Sequence, residues 1–198
     1  MIGMATTPLV NFAIIVLSFV GGFGLTDQFI SPIQNIFLPD VTDYASLVFL
    51  PHGVRVLAVL FFGWRAILPL FAGHLISDYL FQGTEAVDIE MSWLIAAYLI
   101  GSMSAFLAFE IFRLSGNDLY VTDKLMPNWK QVILVGALAS IINSIGQVFI
   151  YSSSMDASTY ALVSMMYAAG DLVGLVVSMI GLMFIFRWVR FAQSAFKK

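Results

Sequence analysis

The stretch Ser46–Leu80, SLVFLPHGVRVLAVLFFGWRAILPLFAGHLISDYL, decides the fold of this chain, because it holds two apolar segments that meet at Gly63-Trp64. The same stretch contains both histidines of the chain, together with Arg55 and Asp78. Ionisable side chains are costly at membrane depth, and in membrane proteins they mark functional sites. The stretch therefore predicts an antiparallel pair of membrane helices that carries a polar site.

The composition is that of an integral membrane protein. The 198 residues are 60% hydrophobic and only 11% charged, and the mean hydropathy is +0.93. Soluble domains contain about 25% charged residues. The chain is accordingly expected to be a single all-α domain, over residues 1–198, whose outer surface faces the lipid bilayer.

Several functional classes are excluded by the residues that the chain lacks. A net charge of -3 with nine Lys and Arg residues offers no basic surface for nucleic acid. The absence of cysteine excludes disulfides, thiolate chemistry, iron–sulfur clusters and cysteine-based zinc sites. A metal site would have to be built from the two histidines and carboxylates. No nucleophile–base arrangement, phosphate-binding loop or metal motif is present, so the chain is not expected to be an enzyme.

Six apolar segments approach the length of about 20 residues that a helix needs to cross the hydrocarbon core. The N-terminus lacks the basic and small-residue pattern of a cleaved signal peptide, so the first segment is expected to be retained. Between the first two segments, SPIQNIFLPD at 31–40 suits either a short interfacial helix or a loop. The predicted spans are Pro8–Leu25, Ala45–Phe62, Arg65–Phe81, Ser92–Phe112, Gln131–Tyr151 and Tyr160–Phe186.

The basic residues give the orientation of this six-helix bundle. Eight of the nine lie in the second and fourth inter-helix connections or in the C-terminal tail: Arg65, Arg113, Lys124, Lys130, Arg187, Arg190, Lys197 and Lys198. The charged residues of the other connections are all acidic: Asp27, Asp40, Asp43, Glu85, Asp88, Glu90 and Asp156. The positive-inside rule then predicts a bacterial inner-membrane protein with both termini in the cytoplasm. An odd number of helices would destroy this segregation.

The polar residues inside the predicted helices form a candidate site. On the second helix, His52 and Arg55 share a face at i, i+3, and His74 and Asp78 share a face of the third at i, i+4. A rise of 1.5 Å per residue places both histidines about 10–12 Å from the outer ends of their helices. The other helices add three residues to this outer-to-middle layer: Asn143, Gln147 and Asp171.

Four interpretations of this layer remain open. It is a pocket open to the outside, in which Arg55 binds an anion or carboxylate, the amides orient it and aromatic residues form the walls. It is an internal ion pair between Arg55 and either Asp171 or Asp78 that holds the bundle in register. It holds a haem between His52 and His74 as axial ligands, or it is a proton relay through the His and Asp residues.

Two short motifs resemble a known family. LPHGV at Leu50–Val54, followed by Phe62-Gly63, is similar to the membrane-associated sensor (MASE-type) domain of bacterial histidine kinases and cyclic-di-GMP enzymes. The run AGDLVG at Ala169–Gly174 resembles the Gly-Asp-x-x-Gly element of that family, whereas Leu50 stands where the family usually has Trp. The resemblance implies a multi-helix module that perceives a signal at the membrane. Family members are usually fused to an output domain, so this chain is expected to act through a separate signalling or membrane protein.

Two other classes compete with a sensor. Six helices around an outer pocket are also typical of the substrate-binding component of energy-coupling-factor importers, which captures a vitamin-like solute and needs an ATPase-driven partner. The third class is a small accessory subunit of a larger membrane complex, in which the polar groups are structural and the Phe- and Met-rich surface makes the contacts.

Overall fold

The computed structural model describes residues 7–37, 46–82, 91–122, 127–151 and 157–195. Its regular elements in these ranges are helical. Two π-helical turns and one 3₁₀ turn extend or connect the α-helices, at Thr26–Ile30, Asp78–Gln82 and Gly63–Ala66. The α-helices are α1 (Pro8–Leu25), α2 (Ser31–Phe37), α3 (Leu50–Phe62), α4 (Ile67–Ser77), α5 (Met91–Leu114), α6 (Trp129–Tyr151) and α7 (Ala157–Ala195).

Five helical stretches in the described ranges are long and apolar enough to cross a membrane. These are Pro8–Phe37, Leu50–Phe81, Met91–Leu114, Trp129–Gln147 and Ser164–Ser194. The helical elements confirm the predicted all-α fold class for the described residues, and the five apolar stretches are compatible with a multi-pass membrane protein. The count of six spans is not confirmed, because the helical parts of the second and third predicted spans follow one another in the single stretch Leu50–Phe81.

That stretch is interrupted at Gly63. Its φ of 59° lies in a region that residues with a side chain rarely adopt, so α3 ends there. Farther from this break, Arg55 of α3 and His74 of α4 both lie against Gly101 of α5. A straight helix would separate Arg55 and His74 by well over 20 Å. The chain therefore folds back on itself between α3 and α4.

The start of α3 differs from the predicted one. Ala45 lies outside the described residues, and Ser46–Phe49 is not helical. Three other segments take up backbone N–H groups here: Leu47 donates to Gln34 Oε1 at 2.7 Å, Phe49 to Gly170 O at 3.0 Å and Leu50 to Thr26 Oγ1 at 3.2 Å. Pro51 consequently lies in the first turn of α3, where its missing N–H costs nothing.

Helix α3 is the centre of the bundle. It packs against α1, α5, α6 and α7, while α4 packs against α1 and α5. Its buried Val56 packs in a core with fully buried apolar side chains of three neighbouring helices, among them Phe19, Val135 and Leu175. On the outer faces, large apolar side chains such as Leu17 and Phe184 are exposed, as expected for helices that face lipid.

The segment after α5 folds back onto the turn between α3 and α4. Val121 donates its backbone N–H to Leu60 O at 3.1 Å, and Tyr120 stacks on Phe109 with ring centroids 5.0 Å apart. The Tyr120 hydroxyl donates to Glu110 Oε1 at 2.9 Å, and Arg113 pairs with the same oxygen at 3.2 Å. These contacts close one end of the bundle.

Candidate functional site

A buried contact between an imidazole and a carboxylate joins α3 to α7 at the centre of the bundle. His52 Nδ1 lies 3.3 Å from Asp171 Oδ2, and both side chains are almost completely buried. Ser140 of α6 donates its hydroxyl to the same carboxylate oxygen at 2.6 Å. On the other side of the ring, His52 Nε2 lies 3.1 Å from Gly136 O. Three helices thus meet at one imidazole and one carboxylate.

The surroundings of His52 determine where its proton lies. A backbone carbonyl can only accept, so Nε2 carries a hydrogen and donates to Gly136. Nδ1 faces a carboxylate oxygen, although it lacks the alignment of a hydrogen bond. A favourable contact there requires one more proton, either on Nδ1 or on Asp171. The pair can therefore hold and release a proton, which is what the proton-relay hypothesis requires.

Arg55 lies one turn along α3 from this pair. It is 2% exposed and donates to Ser104 Oγ at 3.4 Å, while its Nε has no hydrogen-bond partner among the described residues. Asp171 interacts with it electrostatically, but its carboxylate contacts His52 and not Arg55. The predicted direct pairing of Arg55 with Asp171 is therefore wrong in this structure.

Close backbone contact at Gly53 explains why Asp171 reaches His52. A Cβ on Gly53 would collide with Ser178 Oγ, and it would lie 2.8 Å from Gly174 O. A Cβ on Gly174 would likewise collide with Phe49 O. Helix α7 consequently meets α3 at the level of His52, and Asp171 lies at that level. The two sequence motifs, LPHGV and AGDLVG, pack directly on each other.

A small polar cavity lies beside this centre. It has a volume of about 130 Å³ and is lined by Phe23, His74, Asp78, Leu94, Ala97, Tyr98 and Gln147. His74 packs between aromatic rings, with its centroid 4.5 Å from that of Phe19 and 5.7 Å from that of Tyr98. Its buried Nε2 has no hydrogen-bond partner among the described residues. Gln147 donates to Ala97 O at 3.2 Å, which fixes the orientation of its amide.

Gly101 lies between the cavity and the buried centre, next to one residue of each. A Cβ there would lie 2.7 Å from His74 Nε2 and 3.7 Å from an Arg55 terminal nitrogen. The absence of a side chain on Gly101 therefore lets α5 approach both groups. His74 and Arg55 therefore both lie next to Gly101.

The seven predicted site residues fall into two neighbouring groups and one outlier. His52, Arg55 and Asp171 form the buried centre, and His74, Asp78 and Gln147 line the cavity. Asn143 is partly buried and its Oδ1 has no hydrogen-bond partner in the described part of the chain, but it does not line the cavity.

The arrangement does not fit a haem ligated by His52 and His74. Gly136 and Asp171 face the two ring nitrogens of His52, and Asp171 is drawn to it by charge. His74 lines the cavity, whereas His52 is not among the lining residues.

Sequence reasoning missed the small residues that complete the site. Ser77, Ser102, Ser104 and Ser140 are buried, and Ser104 and Ser140 contact the charged groups directly. One signal could have identified Ser140. It lies three residues before Asn143 and therefore shares a helix face with it. Nothing in the local sequence distinguishes Gly101 from other helix glycines.

No protein-family model, curated protein or solved structure matches this chain. The resemblance to the MASE-type family therefore stays a prediction based on the two motifs.

Proposed function

We propose that this chain is a sensor-like, ligand-binding protein of the bacterial inner membrane that acts through a separate partner chain. The observation that carries the proposal is the polar cavity of about 130 Å³ that borders the buried centre through His74. In this proposal the protein binds and signals and does not catalyse a reaction.

The proposed topology has six membrane crossings and both termini in the cytoplasm. The segregation of basic and acidic connections supports it, as does the reversal of the chain at Gly63. Under this topology α3 and α4 each cross the membrane. The cavity then lies in the outer half of the bundle, and the Tyr120 segment lies on the cytoplasmic side.

A route for the signal follows from the contacts. A ligand in the cavity would shift His74, which abuts Gly101 together with Arg55. Arg55 interacts with Asp171, and Asp171 is on α7. Helix α7 has 39 residues and is therefore about 58 Å long, roughly twice the thickness of the hydrocarbon core. Its far end exposes Arg187, Trp188 and Arg190, where a cytoplasmic partner or anionic lipid could be contacted.

The cavity volume favours a sensor over an importer component. Pockets for drug-sized ligands have volumes of about 300–1,000 Å³. A cavity of about 130 Å³ is close to an engineered cavity of about 150 Å³ that holds benzene. It suits a small ligand, and a vitamin-like solute would need the cavity to expand severalfold.

Native mass spectrometry of the protein extracted with its bound partners and small molecules tests the proposal. We expect a retained small molecule together with a kinase, a cyclase or another signalling protein. Co-purification with an ATPase-driven importer would replace the sensor proposal by the importer alternative. Recovery only within a large stable assembly, with no small molecule, would support the accessory-subunit alternative.

A further inference from the structure

Asp78 and Gln147 offer hydrogen-bond acceptors to the cavity, and His74 and Tyr98 add groups that can also donate. Asp78 contributes a carboxylate, which accepts when it is ionised. Gln147 uses its amide nitrogen to donate to Ala97 O, since the reversed amide would place two oxygens against each other. The Gln147 oxygen takes no part in that hydrogen bond and can accept one from a ligand. A carboxylate and an amide oxygen together favour a ligand that carries several N–H donors.

The net charge of the lining also favours a cation. Asp78 is the formally charged carboxylate in the wall, whereas Arg55 is not among the lining residues. Arg55 lies next to Gly101 and acts electrostatically on His74, and Asp171 partly offsets its charge. Asp78 is therefore the charged side chain that a ligand in the cavity can contact directly, and Coulomb attraction is strongest at contact distance.

Two aromatic rings in the cavity wall can also interact with a cation. Phe23 and Tyr98 line the cavity, and neighbouring rings hold both in place. Phe23 stacks on Phe81 with centroids 5.8 Å apart, and Tyr98 stacks on His74 at 5.7 Å. Aromatic faces attract ammonium and guanidinium groups, and the attraction is strongest where water is excluded.

We propose that the ligand of this cavity is a small organic cation with several N–H groups, such as an alkylammonium or an alkylguanidinium. The inference rests on the proposed function and adds the chemical class of the ligand. Asp78 pairs with the cation, the Gln147 oxygen accepts one of its hydrogens, and Phe23 and Tyr98 cover its alkyl part. The predicted role of Arg55 as the binder of an anion is thereby replaced.

Isothermal titration of the protein in lipid nanodiscs tests the inference with three matched probes: n-propylammonium, 1-propanol and propionate. We expect propylammonium to bind at least tenfold more tightly than the other two. The Asp78→Asn variant should lose tenfold or more in affinity for it. The Asp78→Glu variant should retain most of that affinity. Asp27→Asn is the matched control. The Asp27 carboxylate accepts a hydrogen bond from Gln28 and is not among the cavity-lining residues, so this variant should bind as the wild type does.

The outcomes separate this inference from the proposed function. Equal binding of all three probes, unaffected by Asp78→Asn, would overturn the cation assignment but leave the cavity as a binding site. If none of the three binds, the cation assignment is also overturned. Native mass spectrometry of the same wild-type sample then decides the proposed function separately, because a retained small molecule upholds it and an empty protein contradicts it.

Discussion

His52 is the residue on which the buried centre depends, because its ring lies between a carbonyl and a carboxylate from two other helices. Gly136 O is 3.1 Å from one nitrogen and Asp171 Oδ2 is 3.3 Å from the other. Removing one member of a buried pair leaves the other as an uncompensated polar group, which is far more costly than never having had the pair. The centre therefore combines a structural role with the capacity to hold a proton.

We predict that Asp171→Ala lowers the free energy of unfolding by about 3–5 kcal/mol, since it leaves Arg55 without its nearby countercharge, His52 without the carboxylate beside its ring and Ser140 without its acceptor. Unfolding in mixed micelles, followed by circular dichroism, measures the change. Asp27→Ala is the control, because the Asp27 carboxylate accepts a hydrogen bond from the exposed Gln28 at the protein surface, and it should change stability by less than about 0.5 kcal/mol. Wild-type stability in Asp171→Ala would refute the structural role of the centre.

At this scale the sequence identified which residues belong together but not how they pair. Depth along the helices was enough to place His52, Arg55, His74 and Asp171 in one layer, because ionisable groups avoid lipid. The choice of His52 over Arg55 as the contact of Asp171 depends on the close approach of α7 to Gly53. That approach is a property of two helices in three dimensions, and no local pattern encodes it.

Among the helices, the contact between α3 and α7 determines the geometry of the site. Gly170 accepts a hydrogen bond from Phe49, and Gly174 lies against the Phe49 carbonyl. Ser178, one turn farther along α7, donates to Leu50 O at 3.4 Å. Small residues at this spacing let two backbones approach closely inside a membrane. The GDLVG pattern in the sequence is thus explained by packing.

We predict opposite effects for two glycines of α7. In Gly174→Ala the added methyl would collide with backbone at Phe49, which cannot rotate away, so a loss of about 3 kcal/mol is expected. In Gly181→Ala the methyl would enter open space, and the better helix propensity of Ala should leave stability unchanged or raise it by up to about 1 kcal/mol. The same unfolding assay compares them. Equal stability of the two variants would contradict the packing.

The segment at Tyr120 gives the fold a predictable dependence on alkaline pH. Burial, together with the hydrogen bond to Glu110, raises the pKa of Tyr120 above its ordinary value. The folded state therefore favours the neutral phenol. This contribution to stability is present in full below about pH 10, the ordinary tyrosine pKa, and is lost as the pH rises from there through the higher folded-state pKa.

We predict that the stability difference between wild type and Tyr120→Phe shrinks as the pH is raised from about 8 to about 11. Unfolding of both proteins at each pH measures it, and the shared titration of other tyrosines and lysines cancels in the difference. A difference that is constant across this range would show that Tyr120 is not protected by its contacts.

The presence of each helix was predictable from hydropathy, whereas the residues at which helices begin and end depend on tertiary contacts. All five long helical stretches overlap predicted apolar segments, although Pro8–Phe37 runs past the predicted end at Leu25 and Leu50–Phe81 covers parts of two predicted spans. The start of α3 at Leu50 was not predictable, because Gln34, Thr26 and Gly170 take the N–H groups that a longer helix would use internally. Pro51 alone is compatible with either a kink or a helix start.

On the scale of the whole molecule, the number of membrane crossings is the property to test. The described residues contain five long apolar helical stretches, whereas the proposed topology has six spans. The chain contains no cysteine, so single cysteines can be introduced without a background. Thr7, Gln28 and Ser194 are exposed and suit this purpose.

We predict that Thr7→Cys and Ser194→Cys react with an impermeant maleimide from the cytoplasmic side only, and that Gln28→Cys reacts from the outer side only. Labelling of intact cells and of inverted vesicles distinguishes the two sides. If Thr7→Cys and Ser194→Cys react from opposite sides, the number of crossings is odd and the six-span topology is wrong.

The most direct test of the central claim, that the polar layer forms a ligand cavity, is native mass spectrometry of Gly101→Ala beside the wild type. The added methyl would lie 2.7 Å from His74 Nε2 and should push that ring into the cavity, whereas Gly21→Ala places its methyl in open space and is the control. We predict that the wild type and Gly21→Ala each retain a small molecule and that Gly101→Ala does not. Equal retention by all three proteins, or an empty wild type, would contradict the account.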